Sequence, residues 1–328
     1  MARDNAVAAE SRAASWHGRA FGLVVAASEE LETLSECPPE PGAATTNWRR
    51  VAEIEELADE WPGVDVKPLV NTRFPDGRLM LSIDTDASSA YLVEAPGYGL
   101  HVVSADGTRI TSVLRPRASW EWQRLLAAQA LPLAAAAHGF EPLHASAVGI
   151  AGRAIAFTAP SGTGKTSIAM HLVARGAGLL TDDVLAVETT PSQLLAHPGV
   201  RLLNADRAEL AELHAGRERL GPALGEEEKV QMRPPVEPAP LPLAALYKLV
   251  REPAGTRLRI VQEVPPDSRE LLATGFLTYL KSPERLTRHL DFASRMAQGV
   301  PLFVVHLPAD LSAARSAELL EQHIVTAV

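Results

Sequence analysis

The residues with the clearest chemical meaning are Ala159-Pro160-Ser161-Gly162-Thr163-Gly164-Lys165-Thr166. They follow the pattern of a phosphate-binding glycine loop, with Ala159 where the first glycine usually stands. Small residues let the backbone curl until successive N–H groups converge on one concavity. A helix beginning behind that curl adds partial positive charge to the same spot. Pro160, Ser161, Gly162, Thr163, Gly164, Lys165, Thr166 and Ser167 are therefore the candidate nucleotide-binding residues. Lys165 can reach the β- and γ-phosphates of ATP, and the Thr166 hydroxyl can hold Mg2+. A plain glycine turn carrying a surface lysine is the competing reading. The apolar strand before the loop and the helical pattern after it speak against that.

Two further signals point at the same chemistry. Asp182-Asp183 stands at the start of a strand beyond the loop helix. One such carboxylate can bind Mg2+, and the other can take the proton of an attacking hydroxyl. Two acids that close also raise one pKa, which suits a base. Alone, the pair could equally cap a turn. His144, in Leu143-His144-Ala145-Ser146, precedes the loop by one hairpin. It can face a γ-phosphate or orient a carboxylate, and a core histidine bonded to backbone is the alternative.

The surrounding pattern supplies the elements that must position these groups. Arg19 to Ala26 reads as one strand and Glu36 to Asn47 as a loop. Strands follow at Arg78 to Ile83, Ala90 to Glu94, Leu100 to Ser104 and Arg109 to Leu114, with hairpin signals at Pro96-Gly97-Tyr98-Gly99 and Ala105-Asp106-Gly107-Thr108. Residues 16–114 thus form a small, mostly antiparallel β module behind a mobile tail, Met1 to Ser15. Arg115 to Ser119 reads as a linker, and Ser119 as the N-cap of a buried helix reaching Ala137 and stopped by Gly139. From there the pattern is α/β, through residue 328. Strands are predicted at His144 to Ile150, Ala154 to Thr158, Leu179 to Thr181 and Val184 to Glu188, around a helix Thr166 to Arg175. Arg207 to Leu220 reads as a helix and Gly225 to Pro242 as an exposed loop. Beyond it lie strands Ala244 to Val250, Arg257 to Val261 and Leu302 to Leu307. Helices are predicted at Leu271 to Leu280, Pro283 to Gln298 and Ser312 to Ile324.

Composition narrows the function classes. The chain of 328 residues is 46% hydrophobic and 22% charged, an ordinary globular mix, with 31 Lys and Arg against 40 Asp and Glu for a net charge of −9. That balance argues against general nucleic-acid binding, which needs excess cations. The apolar run Leu125 to Ala137 contains Gln129 and Pro132 and falls short of the ~20 residues of a membrane span. With one cysteine, Cys37, no intramolecular disulfide forms. No apolar signal segment opens the chain, so a cytoplasmic, membrane-free protein is expected.

The stretch from Leu143 to Glu188, with its histidine strand, SGTGKT loop and LLTDD strand, resembles the core of the HPr kinase/phosphorylase family. It is similar above all to the smaller HPr-kinase-related proteins found beside peptide-tailoring genes, as is Arg19-Ala20-Phe21-Gly22-Leu23. The resemblance implies a phosphoenolpyruvate-carboxykinase/HPr-kinase-type P-loop domain behind the β module. It implies transfer of the γ-phosphoryl group of ATP, with Mg2+, to a serine hydroxyl of a peptide or protein. The C-terminal serine of a lasso-peptide precursor is the most concrete such acceptor. It assigns Asp183 as base, Asp182 and Thr166 as metal ligands, and His144 as a group steering Asp183 or the γ-phosphate; homo-oligomers occur in the family. Two departures stand out. Thr166-Ser167 replaces the Ser-Glu usual after the loop lysine, and no E-x-R-G signature follows the aspartate strand, so HPr handling and phosphorolysis are not expected. A cation near the acceptor is expected too: Lys229, with Arg233 close by, or Arg201. Each competes with a solvated surface charge. A non-catalytic nucleotide-binding regulator, a kinase of a small hydroxylated metabolite and a carboxykinase are the competing functions.

Overall fold

The computed structural model describes residues 14–114, 120–226 and 229–328. The fold is mixed α/β, built on two large sheets and one small one. The first sheet has nine strands. From one edge they run Ser35–Glu36, Trp16–Ala20, Leu23–Ala27, Thr45–Val51, Arg109–Leu114, Gly99–Val103, Tyr91–Ala95, Leu79–Thr85 and Lys67–Arg73. Neighbours are antiparallel except where Thr45–Val51 lies parallel to Leu23–Ala27 and to Arg109–Leu114. The apparent single strand Arg19 to Ala26 is a hairpin, turning at Phe21 and Gly22 with φ of 57° and 82°. Two left-handed residues are what a tight two-residue hairpin requires. The expected loop Glu36 to Asn47 ends early, because Thr45–Val51 is a strand that buries Thr46 and Trp48 on one face. The expected tail also ends early: the Ser15 N–H donates to the Ala27 carbonyl, and residues 1–13 lie outside the described part.

The second sheet carries the glycine loop. Its order is Glu141–His144, Val184–Thr189, Leu194–His197, Leu241–Glu252, Arg153–Thr158, Ser146–Ile150 and Gly178–Thr181. Leu302–Pro308 and Arg259–Glu263 extend it beside the long strand Leu241–Glu252. The stretch His144 to Ile150 is not one strand. Glu141–His144 pairs with Val184–Thr189, and after Ala145 the chain re-enters the sheet as Ser146–Ile150 between two other strands. That antiparallel strand separates Arg153–Thr158 from Gly178–Thr181, so the strands flanking the loop helix run the same way without touching.

Alternation along Arg153–Thr158 sets the layers. Ile155 and Phe157 face the loop helix Lys165–Ala174 and the last helix Ala313–Ala327. Ala154 and Ala156 face Phe292, Ala293 and Met296 of the helix Pro283–Gly299. Small residues on one side and large ones on the other let two helical layers pack at different depths.

The helical segment after the first sheet runs from Glu121 to Ala137, with a π-helical turn at Leu126–Ala130 just ahead of Pro132. Proline removes a backbone donor, and widening of a turn beside it is a known accommodation. The expected cap Ser119 and linker Arg115 to Ser119 fall outside the described residues. This segment shares one apolar core with the first sheet and with Val184, Ala186, Val200 and Leu202 of the second half.

Three further expectations are corrected. Gly225 to Pro242 is not an exposed loop: Ala223–Glu226 and Lys229–Met232 pair with each other, and the latter with Leu203–Asp206, burying Val230, Gln231 and Met232. The acidic run between those strands masked them. Arg207 to Leu220 splits into Arg207–Glu212 and a 3-10 turn Arg217–Leu220, and Leu271 to Leu280 shortens to a helix Ser268–Ala273. Among the described residues no helix is long and apolar enough to cross a membrane.

Candidate functional site

The loop joins Arg153–Thr158 to Lys165–Ala174. Gly162 and Gly164 hold φ of 79° and 108°, conformations that side-chain-bearing residues rarely adopt. Ala159 is not among the positive-φ residues, so alanine in the first-glycine position carries no strain. The Thr163 N–H donates to the Pro160 carbonyl at 3.3 Å and closes the curl. Arg251, near the end of the long central strand, donates from Nε to the Thr163 carbonyl at 3.0 Å and braces the loop from outside. No sequence motif marks Arg251.

Lys165 is nearly buried at the first turn of the helix. Its Nζ donates to the Ala159 carbonyl at 2.6 Å and lies 3.1 Å from His144 Nε2. Burial lowers its pKa below the ordinary lysine value, and the charges of Asp183 and Asp182 oppose that shift. An ammonium only donates, so His144 Nε2 accepts and the ring proton sits on Nδ1. Nδ1 lies 3.3 Å from Asp183 Oδ1, so His144 stands between the loop lysine and the exposed carboxylate. Its ring stacks on Phe276 with centroids 6.2 Å apart.

The two aspartates are held quite differently. Asp182 is buried: Oδ1 accepts from the Ser146 hydroxyl at 2.7 Å and the Thr166 hydroxyl at 2.8 Å, and Oδ2 from the Asn204 N–H at 3.2 Å. Burial nevertheless raises its pKa above the ordinary carboxyl value. Asp183 is half exposed and sits at φ 79°, a left-handed conformation that costs a non-glycine residue about 1–2 kcal/mol.

A cavity of about 460 Å³ opens over both acids, lined also by Thr166, Asn204, Lys229 and Gln231. Its far wall is Phe21 from the strained first hairpin and Ala127 and Ala128 from the π-helical turn. The Phe21 N–H donates to the Pro198 carbonyl at 2.7 Å, which ties that hairpin to the site. Ser146, Asn204 and Phe21 escaped functional reading. The hints available were a serine two positions after His144 and the resemblance of the segment Arg19 to Leu23. Of the candidate cations, Lys229 lines the cavity. Arg201 and Arg233 do not: they lie together against the segment that carries Glu30, Glu32 and Thr33. Ser161 is exposed on the loop, and Ser167 sits half-buried in the first helical turn.

The donor set suits a hard cation. Asp182 is a buried carboxylate whose desolvation a positive charge would relieve, and Thr166, which donates to it, keeps oxygen lone pairs free. Among the described residues no three His, Cys, Asp or Glu side chains group to cage a metal. Mg2+ needs no such cage, because it retains water and binds phosphate oxygens.

No protein-family model matches the chain, and no curated protein matches it. Among solved structures, the Hpr(Ser) kinase/phosphatase from Coxiella burnetii is similar at 13% identity over 57% of this chain and 97% of that chain, with a TM-score of 0.32. A likeness of that degree bears on neither fold nor activity, and the site stands on its own geometry.

Proposed function

We propose that this chain is an ATP-dependent phosphotransferase acting on a serine hydroxyl of a peptide or protein. One observation carries the reading: Lys165 of the glycine loop lies beside His144, His144 lies 3.3 Å from the exposed Asp183, and Asp183 shares a cavity with Thr166 and the buried Asp182 that Thr166 bonds. In this reading residues 115–328 form the transferase unit, and residues 16–114 form a module that closes one wall of the site with Phe21. Thr166 and Asp182 would hold Mg2+, which supplies charge neutralisation on the phosphate oxygens. Loop N–H groups from Ser161 to Lys165 cradle the nucleotide phosphates, and Lys165 swings from the Ala159 carbonyl to the transferring group. Asp183 accepts the serine proton, aligned by the Nδ1–H of His144. Lys229 faces the entering acceptor from across the cavity.

The acceptor we favour is the C-terminal serine of a lasso-peptide precursor. Labelled ATP incubated with serine peptides, free and C-terminal, tests this directly. We expect transfer to peptide serine, and an Asp183→Asn variant that loses turnover while binding ATP normally. Equal loss of turnover and ATP affinity would make Asp183 a metal ligand instead. The cavity volume favours a second reading, a small hydroxylated metabolite as acceptor. Transfer to such compounds with none to peptides would select it.

A further inference from the structure

A second cavity, of about 340 Å³, lies between the first sheet and the helix Pro283–Gly299, away from the glycine loop. Three cationic side chains line it: Lys281, Arg285 and Arg288. So do four hydroxyl-bearing residues, Thr85, Ser89, Tyr91 and Ser282, and no carboxylate among the described residues. In a chain of net charge −9 an all-cationic cavity is unexpected from composition. Asp86, next to Thr85, is buried; its Oδ1 accepts from Ser88, and its Oδ2 has no hydrogen-bond partner among the described residues. The neighbouring cavity on the other side of Arg288 carries Glu284 and Asp291 and lacks this character.

Two features direct the cavity toward an anion. Ser282 caps the seventeen-residue helix, whose N-terminus contributes partial positive charge at the cavity edge. Independently, Arg285 is 6% exposed and lines the cavity. Its two Nη groups donate to Glu141, so the guanidinium is fixed in place at the cavity wall. Lys281 and Arg288 are exposed and free to close over an occupant. Tyr91 lies within the field of both Arg285 and Arg288, so the three converge.

We infer that this cavity is a second anion site, built for the phosphate group of a small phosphate monoester and distinct from the nucleotide loop. Two or three cations with hydroxyl donors match a dianion better than a single carboxylate. The volume admits a small molecule and excludes a folded partner. Residues from the first sheet, the helical segment and the Pro283–Gly299 helix all line it, so an occupant would bridge the two halves of the molecule.

The test separates this site from the loop. Calorimetry on the full chain carrying Lys165→Ala, without ATP, measures binding of inorganic phosphate and of glycerol phosphate. We expect one phosphate site to persist, and Lys281→Ala with Arg288→Ala in that background to raise Kd at least tenfold. Both added changes are at exposed side chains, so folding is retained. Tighter binding of glycerol phosphate identifies an ester as the ligand, and equal binding identifies free phosphate. Loss of all phosphate binding on Lys165→Ala alone overturns the proposal. So does binding unchanged by the double substitution, or equalled by chloride. Because no transfer is measured, failure of the phosphotransferase reading leaves this result standing.

Discussion

One short strand, Glu141–His144, carries two assemblies of similar residue types at its two ends. At one end Glu141 meets Arg285 and His289; at the other His144 meets Lys165 and Asp183. Each combines a carboxylate, a cation and a histidine, and they behave in opposite ways. Glu141 and Arg285 are 4% and 8% exposed at their side chains, against 38% and 50% for His144 and Asp183. His289 Nδ1 faces the Glu141 carboxylate and Nε2 the Leu272 carbonyl, so both ring nitrogens donate and the ring is an imidazolium. His144 lies between the Lys165 ammonium and the Asp183 carboxylate. Burial alone would raise the Glu141 pKa, but hydrogen bonds from His289 and Arg285 overcome it and hold the acid below its ordinary value. The first assembly is buried and holds helix Pro283–Gly299 to the sheet. The second is open to solvent, with Asp183 in a left-handed conformation. Partners and access, not residue types, separate structure from chemistry here.

The sharpest way to break the comparison is Lys165→Ala. Phosphotransfer should fall about 10³–10⁵-fold, equivalent to about 4–7 kcal/mol in the barrier, while the fold stays intact by circular dichroism. Wild-type transfer would remove the loop from the mechanism. Glu141→Ala should act on stability instead. Leaving a buried arginine unpaired costs about 3–5 kcal/mol, read from the urea midpoint. A loss under about 1 kcal/mol would show that the Arg285 charge is already solvated. Asp183→Gly should split the two properties: stability rises by up to about 1 kcal/mol as left-handed strain is relieved, and turnover is lost. Destabilisation would mean that Asp183 is structural. The smallest effect concerns pH. The hydrogen bond from Glu141 raises the His289 pKa above the ordinary 6.5, so its contribution is complete below that value and is lost as pH rises through the raised one. Glu141, depressed below 4.5, contributes above that pH, and its share is lost as pH falls through the lowered value. Urea midpoints should therefore decline on the alkaline side by about 1 kcal/mol or less, and His289→Gln should flatten that limb.

Legibility differed across the molecule for physical reasons. Arg109–Leu114 and the hairpins before it were readable because turn glycines separate short runs of β-branched and apolar residues. Lys67–Arg73 was not, since an exposed edge strand containing Pro68 buries almost nothing and leaves no apolar trace. Phe21 and Gly22 read as strand because both neighbours are apolar; only their φ values reveal the turn. Arg251 and Asn204 act on the site through a backbone carbonyl and a backbone N–H, and such contacts have no residue-type signature. Arg201 and Arg233 looked like acceptor cations from their place in the chain, yet folding turned them toward Glu30 and Glu32.

From the sequence alone came the glycine loop, its lysine, the paired aspartates and the histidine, because local backbone geometry and phosphate chemistry demand particular residues at short spacing. Which aspartate is buried and which is exposed, the placement of His144 between Lys165 and Asp183, the wall formed by Phe21 and the cationic cavity at Arg285 were decided only by tertiary structure. Those features depend on partners distant in the chain, brought together by packing of two sheets whose registers no short segment specifies.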